Sequence, residues 1–204
     1  MTHPAVSTES AAFFPVNLKV TWLTDEQFEH LCAENPELRL ELTAQGELIG
    51  MPSTGSETGW SDSEINAALN TWAKKDGTGL TFGSSTGFTL PNGAKRSPDA
   101  SWVRRERWST LTKEQRRKFA PLCPDFVLEL CSPTDSLPML QEKMQEYLDN
   151  GARLGWLLDP LERRVHVYQP GQLVLVLDDP ETIDGDPILP DFVLPVRELW
   201  EPPE

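Results

Sequence analysis

The stretch Phe126-Val127-Leu128-Glu129-Leu130-Cys131 constrains this chain more than any other. Its apolar residues do not alternate with polar ones, so it reads as a strand covered on both faces, with layers packed above and below the sheet. A glutamate inside such a strand is expensive unless its charge is paired or binds a metal. Glu129 therefore either joins a buried salt bridge, for which Arg153 is a candidate partner, or helps to hold a cation.

The segments around it suggest a mixed sheet. Residues 1 to about 20 read as a flexible leader. Thr24-Asp25-Glu26-Gln27 is a capping box opening a short helix with Phe28 and Leu31. Leu38, Leu40 and Leu42 alternate, Gln45-Gly46 turns, and Leu48-Ile49 returns as a hairpin. Ser61-Asp62-Ser63-Glu64 is a second capping box, followed by Ile65, Ala68, Leu69 and Trp72 at helical spacing and a stop at Gly77 and Gly79. Residues 80–90 and 97–103 read as two strands joined by a Pro91-Asn92-Gly93 turn. A basic insertion over 104–120 carries a further capping box at Thr112 and Gln115. After the strand holding Glu129 come a helix over about 137–150 closed by Gly151, strands at 153–159 and 163–169, and another at Leu173–Leu177. The tail reads as acidic, proline-rich loops. From residue 57 the order is helix, strand, strand, strand, helix, strand, which predicts an α/β sandwich around a mixed sheet with one helical crossover. One domain is expected over 21–200, with its core at about 57–170.

Composition limits the function classes. Eighteen basic residues against thirty-two acidic give a formal charge of −14, which opposes nucleic-acid binding because that affinity comes largely from Lys and Arg on phosphates. The charge is uneven. Residues 104–118 hold seven basic and two acidic side chains, and residues 178–204 hold nine acidic and one basic. The basic stretch is either a solvated face or a phosphate-contacting one. Three cysteines, with no CxxC pair, form neither a disulfide framework nor a zinc site and imply a reducing, cytoplasmic setting. No signal peptide or membrane span is expected.

Asp99 follows Pro98 at the start of a strand, where the chain is extended. Alone it is weak evidence, since Pro124-Asp125 repeats the dipeptide. Paired with Glu129 on an adjacent strand it could share one Mg²⁺ through oxygen ligands. On the helix, Leu137, Leu140, Met144, Tyr147 and Leu148 form an apolar stripe, and Lys143 falls about 60° to one side of Leu140. It is the charged residue nearest the buried face, at its border: either a lysine snorkelling to water, or one whose stem carries an ammonium to a metal site. None of His3, His30 and His166 is framed as part of a Ser-His-Asp triad, and there is no nucleophile elbow, P-loop or dinucleotide fingerprint.

Taken together, RSPDASWV, PDFVLELCSPTDS and QEKMQEYLDNGARLGWLLDP resemble the Uma-two type family of restriction-endonuclease-like proteins, over roughly residues 20–200. The resemblance implies the PD-(D/E)xK nuclease fold, a restriction-endonuclease-like core with a central mixed sheet flanked by helices and an N-terminal helix and hairpin extension. It places the family's aspartate at Asp99 and its strand glutamate at Glu129. The usual lysine position, two after Glu129, is Cys131 here, so the lysine has moved to the helix at Lys143. Such folds often present an extra acid from the first helix, and Glu57 is the candidate, with Glu64 as its competitor. The implied activity is Mg²⁺- or Mn²⁺-dependent hydrolysis of DNA by a homodimer. Asp99, Glu129 and the Leu130 carbonyl would hold the metal and Lys143 would activate water. The alternatives are a catalytically silent nuclease-fold interaction module and a hydrolase of RNA or a small phosphodiester.

Overall fold

The computed structural model describes residues 16–19, 23–51 and 53–201. The N-terminal part builds one sheet. Strand β1 (Val16–Lys19) precedes helix α1 (Asp25–Glu34), and the hairpin follows as β2 (Arg39–Leu42) and β3 (Glu47–Met51). β1 pairs antiparallel with β3, from Val16 opposite Gly50 to Lys19 opposite Glu47. The expected leader is therefore shortened: residues 16–19 are a strand, and residues 1–15 lie outside the described residues. The Thr24 capping box forms, with the Gln27 N–H donating to Thr24 Oγ1 at 3.2 Å and the Thr24 N–H to Gln27 Oε1 at 2.9 Å. α1 buries Phe28 against Leu40, Leu42 and Leu48.

Helix α2 (Ser56–Asp76) starts five residues before the Ser61 box, with Gly55 as its N-cap. Ser61 is buried within the helix rather than capping it. Trp60 packs on the core, so the turn before Ser61 gains burial that local capping signals do not report. Gly77 ends the helix at φ +75°, a left-handed conformation that suits glycine.

The stretch read as one strand over 80–90 divides. Its first half is β4 (Gly79–Gly83); its second is β5 (Phe88–Thr89), which turns through Pro91-Asn92-Gly93 into β6 (Lys95–Arg96). A turn at Gly83–Thr86 separates the halves and sends them to different sheets. β5 and β6 join the N-terminal sheet, whose order is β1-β3-β2-β6-β5. The chain then crosses to the second sheet through Ser97-Pro98-Asp99 and enters it as β7 (Ala100–Arg104).

Helix α3 (Arg105–Thr110) and the loop with the Thr112–Gln115 box lead to β8 (Phe126–Leu130), every residue of which is buried. Helix α4 (Leu137–Asp149) crosses over to β9 (Leu154–Asp159), and β10 (Arg164–Tyr168) and β11 (Leu175–Asp178) follow. The six-stranded order is β11-β10-β9-β8-β7-β4; β8 and β9 are parallel and the other pairs antiparallel. α2 covers one face with Ile65, Leu69 and Ala73, and α4 covers the other with Met144 and Tyr147. α4 approaches β9 closely enough that a side chain at Gly155 would strike Met144. The tail holds more than loops: β12 (Thr182–Asp184) pairs with β13 (Val193–Pro195), and a short helix α5 (Arg197–Trp200) follows. Leu194, Val196 and Leu199 join the α2 side of the core. Each apolar side chain of this size buried from water contributes about 1.5–3 kcal/mol, which explains why an acidic tail still orders.

Candidate active site

The crossing between the sheets positions Asp99. Its Oδ2 accepts the Leu130 N–H at 2.8 Å, and its Oδ1 accepts from Arg39 Nη1 at 2.7 Å. Asp99 is thus tied to the main chain of the residue that follows Glu129. Glu129 Oε1 accepts from Tyr147 Oη at 3.0 Å and lies 2.9 Å from Lys143 Nζ. Asp99, Glu129 and Lys143 meet at one place, contributed by the sheet crossing, by β8 and by α4.

Lys143 is not a border residue. It is buried together with Met144 and Tyr147, whereas Leu137, Leu140 and Leu148 are only partly buried. The apolar stripe alone sets the buried face by hydropathy, but a carboxylate beneath the helix rotates the true face towards the lysine. Arg153 is exposed and takes no part in the pairing of Glu129.

Glu41 is a partner that sequence reasoning missed. In β2, Leu40 and Leu42 point to α1, so Arg39 and Glu41 project from the opposite face, towards the crossing. Glu41 Oε1 accepts from Lys143 Nζ and from the Ser97 N–H, both at 2.9 Å, and Oε2 accepts from Arg96 Nη1 at 3.1 Å. Arg96 Nε continues to Glu146 Oε2 at 2.6 Å. A line of alternating charge thus runs Glu129, Lys143, Glu41, Arg96, Glu146. In sequence Glu41 occupies the polar side of an alternating strand, which is the pattern of a solvent-facing residue. The only available cue was the cationic Lys95-Arg96 directly before Ser97-Pro98-Asp99.

The expected acid on α2 is also placed differently. Glu57 is exposed in the first turn and Glu64 is exposed further along. Among the described residues no hydrogen bond or ion pair joins Glu57 to the cluster. Asp62 faces it instead. Its Oδ1 accepts from Asn66 Nδ2 at 3.1 Å and its Oδ2 from Ser84 Oγ at 3.2 Å, while the same Asn66 amide donates to the Asp99 carbonyl at 3.0 Å.

Electrostatics follow from crowding. Burial pushes the Asp62 carboxyl up to about 6, the Asp99 charge adds to this, and Ser84 and Arg39 oppose it. Glu129 rises to about 7: burial drives it up, Lys143 pulls it down, and Asp99 and Glu41 push it up again. Burial would raise Glu41 too, but Lys143, Arg96 and the Ser97 N–H outweigh it and hold it at about 2. Lys143 stays charged because Glu129 and Glu41 overcome its burial. Burial lifts the Cys131 thiol to about 12, so this residue, in the usual lysine position, stays a neutral apolar group.

Among the described residues no three His, Cys, Asp or Glu side chains surround one point closely enough to hold a metal. Asp99 and Glu129 are closed by Arg39 and Lys143 instead. Their donor set is nevertheless all oxygen, which suits a hard divalent cation. Burial is the main reason the Glu129 carboxyl is raised, with Asp99 and Glu41 adding to it, and a bound cation would favour its charged form. The residues present fit the group.

A helix, three antiparallel strands, a crossover helix and a parallel strand, with one carboxylate just before β7, another on β8 and a lysine on the crossover helix, define a restriction-endonuclease-like α/β fold. Four solved chains match the structure. One of them, described as a "putative nuclease belonging to DUF820" from Anabaena variabilis ATCC 29413, aligns at a TM-score of 0.71 over 87% of this chain and 97% of its own. At 24% identity the likeness is one of fold. The model of the Uma2 family, described as "putative restriction endonuclease", matches residues 25–197, and the chain belongs to that family. The match takes in α1 and the β2–β3 hairpin. No curated protein matches the chain.

Proposed function

We propose that the chain is a Mg²⁺-dependent endodeoxyribonuclease, with Mn²⁺ able to substitute. The observation that carries this reading is a buried lysine 2.9 Å from Glu129 beside a second carboxylate, Asp99, hydrogen-bonded to the next main-chain amide. Asp99 and Glu129 would hold the metal. The Leu130 carbonyl is the third ligand in this reading, because the β7–β8 register, continued from Ala100 opposite Leu128, sets Pro98 against Leu130. Proline has no N–H to offer that carbonyl. Once bound, the cation supplies Lewis-acid activation of water and stabilises charge on the phosphate. Lys143 orients the attacking water and offsets the developing negative charge. Tyr147 fixes the Glu129 carboxylate by donating its hydroxyl to it, and Arg39 restrains Asp99 until a cation replaces it.

DNA contacts are assigned to Arg105, Lys113, Arg116, Arg117 and Lys118, all exposed. Arg105 follows the far end of β7 from Asp99, about 20 Å along the strand at ~3.3 Å per residue, so it would grip a phosphate beside the scissile one. Two copies addressing two strands make a homodimer part of the proposal. So is a cytoplasmic setting, which the free thiols Cys32, Cys123 and Cys131 favour. No described helix is long and apolar enough to cross a membrane. Cleavage of plasmid DNA with Mg²⁺ or Mn²⁺ tests the reading, with Asp99→Ala as the control. If wild type and variant behave alike, the enzyme reading fails.

The formal charge of −14 supports a second reading, a catalytically silent interaction module. It requires a folded protein that neither binds Mn²⁺ nor cleaves DNA. A substrate panel including RNA and small phosphodiesters separates the remaining hydrolase variants.

A further inference from the structure

Lys143 Nζ lies 2.9 Å from Glu129 Oε1 and equally 2.9 Å from Glu41 Oε1. In the nuclease reading, on which this inference rests, two cations have a claim on Glu129: the Lys143 ammonium and a divalent metal. In a buried site their mutual repulsion is poorly screened. With Glu129 as the sole carboxylate between them, occupancy by one would oppose occupancy by the other. Glu41 removes that conflict by giving Lys143 a counter-charge of its own. Its side chain is only 2% exposed and is fixed from behind by the Ser97 N–H and by Arg96, which Glu146 holds in turn.

We propose that Glu41 is a positioning residue that retains Lys143 in the site while a divalent cation takes Glu129. The N-terminal hairpin is then a working part of the active site. Removing Glu41 leaves Lys143 with Glu129 alone, and the lysine becomes a direct competitor of the metal.

The test is Mn²⁺ binding, measured by calorimetric titration with the metal alone in wild type, Glu41→Gln, Lys143→Met and the double variant. Glu41→Gln is expected to weaken Mn²⁺ binding by about tenfold or more, the range for residues that orient metal ligands. Lys143→Met should not weaken it, and the double variant should bind like Lys143→Met, because Glu41 acts only through the lysine. A hairpin that merely supports the fold would lower affinity equally with and without Lys143, and that result overturns the proposal. Thermal unfolding checks each variant. Should Glu41→Gln not fold, Glu41→Asp carries the same comparison, since it keeps the charge but draws it back by one methylene. It should weaken Mn²⁺ only where Lys143 is present. If wild type binds Mn²⁺ and the Glu41 variants bind it equally well, this proposal fails while the metal reading stands. If wild type binds none, the metal reading fails and takes this one with it.

Discussion

Two Pro-Asp corners, Pro98-Asp99 and Pro124-Asp125, stand at opposite ends of the β7–β8 pair. Each precedes its strand, and each carboxylate accepts the N–H of the residue that ends the partner strand: Leu130 for Asp99 at 2.8 Å, Arg104 for Asp125 at 2.9 Å. Each also pairs with one arginine, Arg39 at 2.7 Å and Arg107 at 3.1 Å. Locally the two are near copies. They differ in what arrives from elsewhere. At the Asp99 end β2 delivers Glu41, α4 delivers Lys143, β8 delivers Glu129 and α2 delivers Asp62. At the Asp125 end α3 delivers Arg107, and Asp125 is closed off at 1% exposure. One corner fastens two strands; the other fastens two strands and stands among surplus negative charge.

If that difference is functional, isosteric changes at the two corners must diverge. The largest effect is expected from Asp99→Asn, which keeps an acceptor for the Leu130 N–H but loses the charge. Its DNA cleavage rate should fall by about 10²–10³, the scale for losing one stabilising group of a charged transition state. Asp125→Asn should cleave at the wild-type rate when folded. Equal losses in a cleavage time course would erase the distinction.

Next in size is stabilisation by metal. Mn²⁺ at a hundred times its Kd should stabilise a binding protein by about 2.7 kcal/mol. Thermal melts should show that shift in wild type and in Asp125→Asn but not in Asp99→Asn. A shift retained in Asp99→Asn would move the metal away from this corner.

Smaller again is the structural cost at Asp125. The asparagine keeps the hydrogen bond to the Arg104 N–H and loses the carboxylate charge that faces the partly exposed Arg107. The expected loss is about 1 kcal/mol, the scale of a partly exposed pair, or a fall in Tm of about 2–4 °C for a chain of this size. A loss several times larger would show that Asp125 carries electrostatic weight which its single arginine does not explain.

The last comparison concerns Asp62, the acid crowding Asp99. Its carboxyl is raised in the folded state to about 6, above the ordinary aspartate range near 4. The folded protein therefore binds this proton more tightly than the unfolded chain, and stability is lost as pH rises from about 4 through about 6. Asp62→Asn should be more stable than wild type above pH 6, with the difference vanishing near pH 4 in Tm measured against pH. A variant less stable at pH 8 would mean that the Ser84 and Asn66 contacts outweigh the crowding.

Much of this was legible from residue patterns. Apolar continuity around Glu129 marked a buried central strand, and β8 is buried throughout. The Thr24 and Thr112 capping boxes form because they need only residues three apart. The Ser61 box does not, since burial of Trp60 and Ser61 extends the helix past it. The division of residues 80–90 between two sheets was not legible either. Pairing partners, not the strand's own composition, decide where a segment goes.

By itself, the sequence determined which strand is central, where a carboxylate is buried at a cost, and that a lysine sits near the inner face of the next helix. Those are properties of periodicity, readable within a few residues. Only the tertiary structure decided that Glu41 rather than Arg153 completes the charge line, that Asp62 rather than Glu57 faces Asp99, and that one Pro-Asp corner differs from its twin. Each outcome depends on elements far apart in the chain being brought within about 3 Å, the range of hydrogen bonds and close ion pairs. Local pattern carries no information about which charge will lie across such a gap.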